Sequence, residues 1–202
     1  MRLIPQIVAK ARFRYEVDAE VRAYHNFEHA TRVAQNCLTL NENAADELLY
    51  AALYHDAVYI PGSGEDANER CSAAAFKKDW NTYCKNSLHR VSVLDVESVC
   101  QLIRNTSIDM HLTHMRLQGN LATLLDADLE SLATNYYKFT LNQEAIIIEQ
   151  GGEVNKENLR KCAEFLRQFL QVRPSIYHTD KARELWEKQA RENILKLLDE
   201  TK

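Results

Sequence analysis

Only five glycines and three prolines interrupt the 202 residues of this chain. Folds that turn often need many more of both, since Gly supplies positive-φ corners and Pro pre-set ones. Ala, Leu, Glu, Lys and Arg are abundant, which favours long helices over a turn-rich β fold. The expected class is therefore all-α, with about eight helices.

The apolar spacing locates them. Residues 3–24 read as a first helix, with Ile4, Ile7, Val8 and Ala11 on one stripe. Asn26 is a good N-cap for a second, whose apolar series runs Ala30, Val33, Ala34, Cys37 and Leu38. Asn41-Glu42-Asn43 ends it, and the apolar run from Leu48 forms the third. Ile60 to Asp66 gathers Pro61, Gly62 and Gly64 into the best candidate loop, after which Asn68 is expected to cap a helix through Ala73, Phe76, Trp80 and Tyr83. A further helix runs through Val96, Val99, Cys100 and Ile103. Residues 109–120 are polar, and leucines from Leu117 to Leu132 mark the next helix. The last three are 135–150, stopped by Gly151-Gly152, then Asn158 to Val172, and Asp180 to Glu200.

No repeat, low-complexity tract or linker divides the sequence. One domain over 1–202 is expected, with a core at about 24–130 and C-terminal helices 135–200 packing on it. The net charge of −4 argues against general nucleic-acid or anionic-membrane binding, while leaving room for a local basic patch around an anionic substrate. Five cysteines without a CxxC pair fit reduced thiols. No run approaches the ~18 apolar residues of a membrane helix, and the charged start at Arg2, Lys10, Arg12 and Arg14 lacks a signal-peptide core. A soluble, cytoplasmic chain is expected. Its last helix, with Trp186, Ile194, Leu197 and Leu198, could pack on the core or form a homodimer.

Chemistry concentrates at His55-Asp56. Leu49, Ala52, Leu53 and Asp56 share a helix face, so the carboxylate closes an apolar stripe. A carboxylate there needs a partner: a counter-charge, hydrogen bonds or a metal. His55 adds a nitrogen donor about 100° further round the turn. His29, in the first turn of its helix, faces the same side as Val33. For a fourth ligand, Asp128 lies amid Leu121, Leu124, Leu125 and Leu132, whereas Asp126 shares a weaker stripe with Ala122, Leu129 and Ala133. Asp128 is expected to be the more buried acid and the ligand, with Asp126 a supporting hydrogen-bond partner.

The set His29, His55-Asp56, Asp128 resembles the H…HD…D signature of the HD superfamily of metal-dependent phosphohydrolases. It is similar in particular to the small bacterial subgroup of predicted metal-dependent HD phosphohydrolases. Matching pieces are Tyr24-His25-Asn26 with His29, then His55-Asp56 with Tyr59, and Asn68-Glu69 with Ser72-Ala73. Further on come Asp126 to Leu129, Ile176 to Thr179, and Ala190-Arg191-Glu192-Asn193. The resemblance spans nearly the whole chain. Departures are Ala67 where that group commonly has Asp, with Asp66 displaced by one. Leu141 to Ala145 lack its arginine and tyrosine, and its Thr…His pair could be Thr106 with His111 or His114.

The resemblance implies hydrolysis of a phosphomonoester or phosphodiester, with a nucleotide as substrate class. Metal ligands would be His29, His55, Asp56 and Asp128, holding Mn, Mg, Fe, Ni or Zn. Asp56 could orient or deprotonate the attacking water, and Glu69 could give general acid/base help or be only a helix N-terminal acid. His25, Asn26, Tyr59, Asp66, Asn68, Arg70, Thr106, His111, His114 and Asp126 are candidates for supporting or substrate contacts. Among them His25 reads as structural and Arg70 as a surface charge. His111 and His114 read as solvated loop residues, with a second metal the sharper alternative. Two other classes stay open: a metal- and nucleotide-binding sensor without turnover, and a helical interaction protein with a polar core.

Overall fold

The computed structural model describes residues 3–64, 66–87 and 94–202; Glu65, at the expected loop, lies outside them. Among the described residues helices are the only regular elements, and no strand occurs. The all-α class holds. No described helix is long and apolar enough to cross a membrane. The chain divides into two compact units, one ending at Ser107 and one beginning at Ile108.

In the first unit, α1 (Pro5–Val17) opens on a proline, whose missing N–H costs nothing in a first turn. It stops seven residues short of the expected end. A 3₁₀ turn (Ala19–Val21) follows, and then an extended stretch. Both Arg22 and Tyr24 point inward while Ala23 is exposed, a period of two that a helix cannot supply. Next, α2 (Phe27–Leu40) starts at Asn26, whose side chain accepts from the His29 N–H, and ends at Asn41 as expected. It buries His29, Ala30, Val33, Ala34 and Cys37.

The centre of this unit is α3 (Asp46–Tyr54), in which all seven residues from Leu48 to Tyr54 are buried. It packs on α2, on α5 (Val96–Arg104), and on α1 and α4 (Ala67–Asn86). Its tyrosines are placed by their hydroxyls: Tyr50 accepts from the Ile4 N–H, and Tyr54 lies within reach of Ile7 O and Asp79. Asp79 is buried in α4 and held by both ends of the Arg14 guanidinium, at 2.7 and 3.0 Å.

The second unit carries more and shorter pieces than expected. A single turn, α6 (Ile108–His111), precedes α7 (Gly119–Asp128), which tightens into a 3₁₀ segment (Leu129–Ala133) instead of continuing to Leu132 as α-helix. Then come α8 (Tyr136–Glu149) and α9 (Lys156–Gln171), separated at Gly151, whose φ of +77° suits glycine. α9 begins two residues before Asn158, because Asn155 is the cap and Asn158 donates back to Glu153 O. The final helix is broken into α10 (Asp180–Ala182), a π-helical stretch (Arg183–Glu187) and α11 (Lys188–Glu200). Asn193, buried in α11, donates to Leu132 O and Thr134 O and so ties down the end of the 3₁₀ segment.

Candidate metal centre

The first unit sets His55 and Asp56 directly after the buried end of α3. The His55 ring is buried, and its Nδ1 lies 2.8 Å from Ala52 O, one turn back. A carbonyl only accepts, so this bond assigns the proton to Nδ1 and leaves the Nε2 lone pair facing outward. That Nε2 lies 2.9 Å from Asp56 Oδ2 and 3.2 Å from His29 Nε2, with His29 Nε2 itself 3.6 Å from the carboxylate. A lone pair and a carboxylate oxygen at 2.9 Å repel unless a cation, proton or metal, sits between them.

His29 reaches this point from the first turn of α2, oriented by the Asn26 cap. Its Nδ1 lies 3.3 Å from Arg32 Nη2, which can only donate. To offer its Nε2 lone pair as a neutral ligand, His29 must take the Nδ1–H tautomer and release that contact. The His29 ring is also flanked by Tyr24 and by the edge of His25, and His25 stacks on Tyr59 at 4.6 Å and 23°.

Two polar clamps hold the loop after Asp56. Ser72, fully buried in α4, bonds both the N–H and the C=O of Val58. Asn68 does the same for Ile60 and is therefore not the cap of α4; that place belongs to Asp66, at a positive φ of 56° and with no side-chain cap bond. Glu69 sits half-buried in the first turn of α4, and Asp66 and Arg70 are exposed. Thr106 is buried just past α5, its hydroxyl donating to Ile103 O.

In the second unit the two acids of α7 are placed otherwise than expected. Asp126 is fully buried, while the Asp128 side chain is 18% exposed. Asp126 accepts from the backbone N–H groups of His178 and Thr179, both at 2.7 Å. Burial raises its carboxyl above the ordinary value, against the lowering pull of those two donors. Neighbours along α7 do not reveal this, because the N–H partners lie 52 and 53 residues away.

Asp128 ends α7, and its Oδ2 lies 3.1 Å from His111 Nε2. His111 is thus buried and paired, not a solvated loop residue; the α6 turn carries it inward. The Arg173 guanidinium donates to His111 O and Ile176 O, pinning that turn. His114 is exposed, as expected, and contacts Val172 O through Nδ1.

Reading the sequence overlooked Arg22, Arg173 and His178. The only local sign is alternation of Arg22 and Tyr24 about Ala23, too short to distinguish from chance. His178 is buried, its Nδ1 accepts from the Leu117 N–H, and burial, with the Arg173 charge next, lowers its pKa to about 4.

Within the first unit, buried His29 and His55 with the Asp56 carboxylate beside them are donors that could hold a metal ion. Two imidazoles and a carboxylate suit a divalent transition metal or Mg²⁺. No family model matches the chain, and no curated protein is detectably similar to it.

Proposed function

We propose that this chain is a divalent-metal-dependent phosphohydrolase of the HD type, cleaving a phosphomonoester or phosphodiester, with nucleotides as the substrate class. One observation carries the reading: the His55 Nε2 lone pair, His29 Nε2 and Asp56 Oδ2 converge within 3.6 Å, an arrangement that a metal ion between them would satisfy. The resemblance to the H…HD…D signature supplies Asp128 as the further ligand and phosphoester hydrolysis as the reaction. A bound divalent ion would supply Lewis acidity and a nucleophile at neutral pH.

The residues divide the remaining work. The Ala52 carbonyl keeps His55 in the tautomer that offers Nε2. Asp56, 19% exposed, keeps an edge in contact with solvent, where it can orient a water or take its proton. Glu69, at the start of α4, is the candidate to exchange a proton with the leaving group.

The test is phosphate release from nucleotides, nucleotide esters and sugar phosphates with Mn²⁺ added and Asp56→Ala as the blank. Turnover of one class that disappears in the variant is expected. Nucleotide binding without release would replace the enzyme by a sensor. Absence of any metal binding, with Asp56→Asn at least as stable as the parent, would replace both by a structural polar core.

A further inference from the structure

Arg22 is the most deeply buried arginine among the described residues of the first unit, 3% exposed, and its partners are carbonyls. Nη1 donates to His25 O at 3.0 Å and to Asp56 O at 2.7 Å, and Nη2 donates to Ala57 O at 3.3 Å. The guanidinium also lies over the Tyr15 ring, 5.0 Å from its centroid, and 6.0 Å from that of Tyr59.

The two segments so joined are the ones that carry the metal donors. His25 immediately precedes Asn26, the residue that caps α2 and orients His29. Asp56 and Ala57 follow the end of α3, where carbonyls lack helical partners and a cation is favoured by the helix dipole. Taking a guanidinium out of water is costly, and three carbonyls and a ring face replace that hydration. A lysine could not do the same, because its donors radiate from one nitrogen and cannot span carbonyls on two segments.

We propose that Arg22 is the positioning residue of the metal centre: its guanidinium bolts the entry of α2 to the exit of α3 and so sets the separation of His29 from His55 and Asp56. The inference rests on the metal reading above. It assigns Arg22 no contact with substrate. Its effect is on how far the donors are preorganised.

The experiment is calorimetric titration with Mn²⁺ and Zn²⁺ of the parent chain, Arg22→Lys, and Arg14→Lys as a control. Arg14→Lys disturbs a half-buried arginine, the partner of buried Asp79, in the same unit. Arg22→Lys should weaken metal binding about tenfold or more, as loss of a ligand's supporting contact typically does. Arg14→Lys should lose stability yet bind metal as the parent does. In Arg22→Ala, added methylguanidinium should recover affinity, which general destabilisation would not allow. If the parent binds metal and Arg22→Lys binds it equally well, or if both variants weaken binding alike, the positioning role is wrong. A parent chain that binds no metal overturns the metal reading itself, and this inference with it.

Discussion

His178 makes the acid stability of this protein predictable. Its ring is 2% exposed and sits within reach of the Arg173, Arg116 and Arg183 charges, and its pKa falls from 6.5 to about 4. In the unfolded chain the ring takes up its proton below about 6.5; in the folded chain it resists until about 4. The neutral ring therefore costs nothing above pH 6.5, and stability is lost as the pH falls from 6.5 towards 4. Each tenfold change in proton affinity is about 1.4 kcal/mol, which bounds the loss at about 3 kcal/mol. At pH 4.5 the folded ring has only begun to take up its proton, so the loss is not yet complete and about 2 kcal/mol is the working value. The perturbation that isolates it is His178→Asn, whose side-chain oxygen can still accept from the Leu117 N–H. Urea unfolding of both chains at pH 7.5 and 4.5 measures the difference. The variant should be less stable at pH 7.5, through lost ring packing, and should lose about 2 kcal/mol less than the parent on acidification. Equal losses, or a parent ring that titrates near 6.5 by NMR, would refute the reasoning.

Two other substitutions test the framework around the sites. Asn26→Ala removes the cap that accepts from the His29 N–H; it should cost about 1 kcal/mol in urea unfolding and weaken metal binding as the first turn of α2 frays. Asn193→Ala strips the donor from Leu132 O and Thr134 O, and two carbonyls left short of partners should cost about 2 kcal/mol, with no change in metal affinity.

Spacing and caps were enough to read the helical class, the Asn26 cap, the inward face of His29, the stop at Gly151, and the His55-Asp56 pair at the end of a buried run. Each is a local matter: helix propensity, a side chain meeting a backbone three residues on, or apolar residues every three or four positions. The errors share the opposite character. Asn68 was expected to cap its own helix, yet it braces Ile60 across the preceding loop. Asp126 sits on the weaker apolar stripe, yet it is the buried acid because distant N–H groups need it. His111 lies in a polar stretch, yet one helical turn carries it to Asp128.

Arg22 is the clearest case. Composition shows an arginine in a charged N-terminal region, and nothing nearby announces that it will be buried. Its place is determined by three carbonyls, two of them 34 and 35 residues further on. Helix propensity and apolar spacing along the chain specify the helices and most of the donor types. Which polar groups leave water is settled only on folding, because their desolvation is offset only by partners brought from elsewhere in the chain.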